Sequence, residues 1–131
     1  MRPAPPLVPG ALLRRLNRDA RTRRGAAEEA RVARHYLARG YRVVGRNVWA
    51  AGNEIDLIVR RGRSLVFCEV KAKRGDRFGD PLAMVDEEKV RRLVRAAEAW
   101  LARHPDALDL DARFEVAAVR GKRVQRVPLH L

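Results

Sequence analysis

Residues 53–73 read NEIDLIVRRGRSLVFCEVKAK, two apolar segments separated by Arg61-Gly62-Arg63. NEIDLIVR and SLVFCEVKA are rich in Ile, Val and Phe and read as strands, and the glycine marks a tight turn between them. Into this apolar hairpin the sequence sets three charges, Asp56, Glu69 and Lys71. Side chains alternate along a strand, so Glu69 and Lys71 point the same way, together with Leu65 and Phe67.

The register follows from the turn. A two-residue type II′ turn at Gly62-Arg63 places glycine where that turn requires it and pairs Arg61 with Ser64. A four-residue loop over residues 61–64 has the same centre. In either case Asp56 falls opposite Glu69 and Glu54 opposite Lys71, with facing Cβ atoms roughly 5 Å apart. Two carboxylates that close repel, more so when buried, unless a cation sits between them. A hard divalent ion held by carboxylate oxygens removes the conflict, and Mg²⁺ is the usual occupant of sites that face phosphates. A type I′ turn at Arg61-Gly62 would instead set Asp56 opposite Phe67 and diagonal to Glu69, still within reach of a shared ion. The competing expectation is an ion-pair ladder of Glu54, Asp56, Glu69 and Lys71 on a solvated face. Against it, Glu69 sits in a run, residues 65–70, apolar enough to be buried on both faces, and charges there are costly unless paired or metal-bound.

An acid on one strand followed by Glu69-Val70-Lys71 on the next resembles the PD-(D/E)xK nuclease signature. The wider pattern is more specific: Gly52, Glu54-Ile55-Asp56-Leu57-Ile58, Phe67-x-Glu69-Val70-Lys71-x-Lys73, Phe78-Gly79-x-Pro81 and the later Lys89. It is similar to the YraN-like family of endonuclease-like proteins, relatives of archaeal Holliday-junction resolvases, over about residues 25–120. Departures are Ile55 where the superfamily name has proline, Asn53 inside the Gly-Glu-Ile-Asp motif, and Lys73 where arginine is commoner. The resemblance implies a restriction-endonuclease-like α/β fold with a mixed central sheet of about five strands flanked by helices. It also implies a metal-dependent DNA endonuclease, with branched DNA as one candidate substrate. Asp56, Glu69 and the backbone carbonyl of Val70 would hold Mg²⁺ or Mn²⁺, Lys71 would serve the attacking water, and a further acid would come from the first helix. A dimer is plausible, since resolvases act as dimers on two-fold junctions.

The chain has 131 residues, a length that suits one domain with one core. Its net charge of +13 favours a polyanionic partner, with nucleic acid ahead of membrane. No stretch approaches the roughly 18 apolar residues that span a bilayer and no secretory signal is evident, so a cytoplasmic protein is expected. The single cysteine, Cys68, excludes an internal disulfide and a cysteine-rich zinc site. His35, His104 and His130 show no metal-ligand spacing.

Residues 1–10 contain four prolines, and residues 11–24 carry Arg14, Arg15, Arg18, Arg21, Arg23 and Arg24 against Asp19. Residues 1–24 are expected to form a flexible basic segment ahead of one domain over residues 25–131. This arm either lies along a phosphate backbone or serves only as a solvated tail. Residues 26–39 have helical periodicity, with Ala26, Ala30, Ala33 and Leu37 as the apolar stripe and Gly40 as its end. Glu29 lies about 40° from Ala33 on a helical wheel and inside the stripe, while Glu28 points outside it. Glu29 is therefore the favoured helix acid and Glu28 the alternative; a first-turn acid that merely complements the helix dipole is the plain reading.

Residues 41–49 read as a further strand. The loop RGDRFGDPLA follows the hairpin, and then Asp86 caps an amphipathic helix with Val90, Leu93, Val94, Ala97, Trp100 and Leu101 on its inner face. Arg91, Arg92 and Arg95 line its outer face, and Lys89 stands at the edge near the start, either touching substrate or solvated. After a polar loop over residues 104–109, ARFEVAAV and KRVQRVPL read as strands joined at Arg120-Gly121. Glu115 faces away from Phe114, Val116 and Ala118 and reads as structural. Arg14, Arg15, Arg18, Lys73, Lys89 and Arg92 are the expected DNA contacts, made to phosphates rather than bases. The alternative function is a non-catalytic nucleic-acid-binding protein on the same fold.

Overall fold

The computed structural model describes residues 25–72 and 86–130. Residues 25–37 form helix α1. Three antiparallel strands follow, β1 (Arg42–Ala50), β2 (Asn53–Arg61) and β3 (Ser64–Ala72), then helix α2 (Glu87–Ala102). A single 3-10 turn, Pro105–Ala107, leads to β4 (Asp111–Arg120) and β5 (Arg123–Leu129). The five strands lie in chain order, and β3 and β4 form the one parallel pair among them. A parallel pair needs a long crossover, which α2 supplies. This is the expected α/β architecture, a restriction-endonuclease-like mixed sheet with helices on it.

The central hairpin has the register of the type II′ alternative. Arg61 pairs with Ser64, and Gly62 is the turn residue with positive φ, at 59°. The preceding hairpin turns on Ala51 and Gly52, both left-handed (φ 51° and 73°), as a type I′ turn demands.

β2 and β3 are buried on both faces, so their inward runs are continuous rather than alternating. Under α1, Leu57, Val59, Val66 and Cys68 pack with Val32, Ala33, Tyr36 and Tyr41. Under α2, Ile55, Ile58, Leu65 and Phe67 pack with Leu93, Ala96, Ala97 and Trp100. Phe67 is fully buried, stacks on Phe114 at 5.5 Å and meets Trp100 edge-on at 5.8 Å. Truncating such a ring costs about 3–5 kcal/mol.

Two stripe assignments need correction. On α1 the inner face is Glu29, Val32, Ala33 and Tyr36, while Ala26 and Leu37 are exposed. Tyr36 goes inward because its hydroxyl has a partner there: it donates to Glu115 at 2.7 Å. On α2, Ala96 is buried in place of Val90, Val94 and Leu101, which are only partly covered. The helix ends behave as expected. Asp86 accepts the Lys89 N–H at 2.7 Å, an N-cap worth about 1 kcal/mol. Gly40 (φ 86°) ends α1, with Tyr41 N–H bonded to the Tyr36 carbonyl and Gly40 N–H to that of Leu37. These are the two bonds of a Schellman end. The region expected as plain loop after α2 contains the Pro105–Ala107 turn, with proline at its first position.

Glu115 is the one buried charged side chain among the described residues. Arg126 grips both its oxygens, Nε to Oε1 at 2.7 Å and Nη2 to Oε2 at 3.0 Å. The guanidinium also lies over the rings of Tyr36 and Tyr41, at 4.5 and 5.2 Å. Glu115 is structural, as its face on β4 suggested.

Candidate metal centre

Side-chain alternation in β2 breaks at Asp56. Leu57 packs under α1 and Ile58 under α2, yet Ile55, two residues before Leu57, packs under α2 as well. The β2–β3 ladder ends at Leu57↔Cys68, one step before Asp56 would meet Glu69. Across the sheet on β1, Asn47 falls between the pairs Arg46↔Leu57 and Val48↔Ile55, and so beside Asp56, with a left-handed φ of 48°. Asparagine is among the few residues that tolerate that conformation. Such local irregularity in a ladder re-aims side chains. Here it turns Asp56 out of the strand pairing, and its Oδ2 accepts the backbone N–H of Val70 at 2.8 Å.

The result is a gathering of acids. Single oxygens of Glu29, Glu54 and Asp56 all lie within 4.8 Å of one another. One neutral amide holds two of them: Asn47 Nδ2 donates to both oxygens of Glu29, at 3.0 and 3.2 Å, and to Glu54 Oε1 at 2.9 Å. Glu69 approaches Asp56 from β3 and forms an ion pair with Lys71, Nζ to Oε1 at 3.3 Å, each side chain about a quarter exposed. Burial pushes the Asp56 carboxyl up to about 7, and the charges of Glu69, Glu29 and Glu54 push the same way against the Val70 hydrogen bond. Burial likewise raises Glu29, although the Asn47 hydrogen bond opposes it. Burial works against the ammonium of Lys71, and the carboxylate of Glu69 supports it. Its pKa stands above the ordinary value. The cluster could hold a hard cation: its donors are all oxygens and repel one another, a repulsion that the charge of Arg46 tempers at Glu29.

The site residues expected from sequence divide into three groups. Asp56, Glu29, Glu69 and Lys71 come together at one end of the sheet, and Glu29 rather than Glu28 meets Asp56. Among the described residues, one oxygen of Glu28 is enclosed without a hydrogen-bond partner. Val70 contributes its N–H to Asp56. Lys89 stands exposed at the start of α2, near Lys71, whose positive charge lowers its pKa. Arg92 is exposed and ion-paired with Glu88 one turn earlier. Arg14, Arg15, Arg18 and Lys73 lie outside the described residues.

Two residues were missed. Glu54 had been set opposite Lys71, whereas it joins Glu29 and Asp56, because strict alternation does not survive the break at Asp56. Asn47 carried no sequence signal beyond its residue type; an asparagine inside a run of strand formers is a hint of a left-handed break.

The profile of Uncharacterised protein family UPF0102 matches residues 28–119. A UPF0102 protein of Xanthomonas oryzae pv. oryzae (strain PXO99A) is 44% identical over 103 residues, covering 79% of this chain and 84% of the relative. UPF0102 protein YraN of Escherichia coli O1:K1 / APEC is 41% identical over 102 residues, 77% of this chain and 78% of the relative. The chain belongs to the UPF0102 family, the YraN-like group that its motifs resemble.

Proposed function

We propose that this member of the uncharacterised UPF0102 family is a metal-dependent DNA endonuclease of the cytoplasm. The observation that carries the reading is the convergence of oxygens of Glu29, Glu54 and Asp56 within 4.8 Å of one another, beside Glu69 and Lys71. Glu29, Glu54 and Asp56 would hold Mg²⁺ or Mn²⁺, with Glu69 and the Val70 carbonyl on the neighbouring strand. Such an ion, when bound, polarises the scissile phosphate and acidifies water. The chain's own groups do the rest. Asn47 keeps Glu29 and Glu54 turned inward, and the Val70 N–H fixes the Asp56 carboxylate. Lys71, an ammonium held beside Glu69, orients the attacking water and offsets charge that builds on the phosphoryl oxygens. The +13 net charge supplies affinity for the backbone, with Lys89 near the site and the arginines of residues 1–24 contacting phosphates without reading sequence. A dimer would present two such sites to a two-fold branched substrate.

The test is cleavage of branched and linear DNA in Mn²⁺ and in Mg²⁺ by the wild-type chain and by Asp56→Asn. Cutting by the first and not the second is the expected result. Wild-type protein that binds both Mn²⁺ and DNA but cuts nothing would leave a nucleic-acid-binding protein on a nuclease scaffold.

A further inference from the structure

Among the described residues, Trp49 is the large aromatic ring that the core does not use. It is 56% exposed, against 6% for Trp100. Its neighbours on β1, Val48 and Ala50, pack towards α2, so Trp49 is turned to the α1 side. There it stands directly opposite Glu54 in the β1–β2 ladder, and Glu54 is a member of the acidic cluster. Cβ atoms so paired are roughly 5 Å apart. Two residues before it is Asn47, the amide that holds Glu29 and Glu54. Two residues after it is the left-handed Ala51 of the hairpin turn. The ring thus sits on a strand between two backbone bends, beside Glu54 of the candidate metal centre and outside both core clusters.

We infer that Trp49 is a stacking platform for an unpaired base next to the cleaved bond, which makes the substrate DNA with unpaired or splayed nucleotides rather than continuous duplex. The inference rests on the nuclease reading for the site itself and adds the form of the substrate. In a duplex both faces of every interior base are covered by its neighbours, so a protein ring finds no π-face to stack on. A nucleotide at a fork, gap, bulge or single-stranded end has one free. The chain's positive charge draws in the backbone regardless of form, and the indole distinguishes forms because stacking demands an unstacked base. A protein partner is the less fitting occupant, since this ring is bordered by carboxylates that a metal and a phosphate would share.

The experiment measures binding, so it does not depend on turnover. In chelator, wild type, Trp49→Ala and Trp49→Phe are titrated with a single-stranded thymidine oligonucleotide, a duplex carrying a short unpaired bulge, and a fully paired duplex. Base–aromatic stacking predicts that Trp49→Ala weakens binding to the first two by about 5- to 100-fold and leaves the paired duplex unchanged. Trp49→Phe should keep most of the wild-type preference. Oligothymidine should quench the indole fluorescence of the wild type, and Trp49→Phe should lose that quench. Equal weakening on all three DNAs, or none on any, would overturn the platform while leaving the nuclease reading in place. Failure of the wild type to bind any DNA, in chelator and with Mn²⁺ alike, would overturn both.

Discussion

Glu115 and Asp56 are carboxylates on the α1 side of one sheet, and their surroundings act on them in opposite directions. Glu115 is buried, yet the Arg126 fork and the Tyr36 hydroxyl outweigh the burial and hold its pKa below the ordinary carboxylate value. Asp56 has one backbone N–H for support and is surrounded by Glu29, Glu54 and Glu69, so its pKa is pushed up to about 7. The cations differ as well. Arg126 is clamped by three hydrogen bonds, two to Glu115 and one to the Tyr41 hydroxyl, and by two rings. Lys71 touches Glu69 at 3.3 Å through one contact and retains some exposure. A satisfied buried pair specifies the fold, whereas an unsatisfied acidic group is a cost that a bound cation can offset. The difference separates scaffold from site within a single layer of the molecule.

The largest effect that would sharpen this contrast is on the chemical step. Lys71→Ala should lower DNA cleavage by about 10²–10⁴-fold, as loss of a proton-transferring or charge-offsetting group does. Metal binding and DNA affinity should change little, because it is one of 29 basic residues. Cleavage at the wild-type rate would remove Lys71 from the mechanism. Next in size is the scaffold pair. Arg126→Ala strands the Glu115 carboxylate in the interior and should cost about 3 kcal/mol or more in urea unfolding, with or without divalent metal. A loss that Mn²⁺ reverses would mean the two acidic regions are not separate.

A smaller effect concerns pH. In chelator, folded Asp56 holds its proton up to about pH 7, whereas in the unfolded chain it loses it near the ordinary value of 3.8. The stabilising contribution of the protonated form is therefore complete below about pH 4 and is lost as pH rises to 7. Asp56→Asn removes that loss, so the variant should gain on the wild type by roughly 1.4 kcal/mol for each pH unit across this interval. A flat difference between the two proteins from pH 4 to pH 7 would show that Asp56 is not under charge stress.

Much of this was legible in the sequence because it is local. The Gly62 turn narrowed the hairpin to two registers, one of which the strands adopt, Asp86 and Gly40 marked helix ends, and the run over residues 65–70 announced burial on both faces, which is complete from Leu65 to Cys68. The turn and the E-x-K spacing set Asp56, Glu69 and Lys71 on one hairpin, while Glu29 followed from the helical wheel together with the helix acid that the family resemblance implies. What escaped depends on departures from regularity or on distant partners. Counting along an ideal strand sets Glu54 against Lys71, and only the break shared by Asn47 and Asp56 delivers it to Glu29. Likewise Tyr36 replaces Leu37 on the inner face of α1 because a carboxylate 79 residues away receives its hydroxyl. No helical wheel contains that information.

The central claim is that Asp56 and its neighbours form a cation site, and titration of metal-free protein with Mn²⁺ in a calorimeter tests it most directly. Wild type should bind Mn²⁺ and gain thermal stability with it, Asp56→Asn should do neither, and Arg126→Lys, which keeps a charge beside Glu115, should bind as wild type does. Mn²⁺ binding by Asp56→Asn equal to that of the wild type, or none by the wild type, would contradict the account.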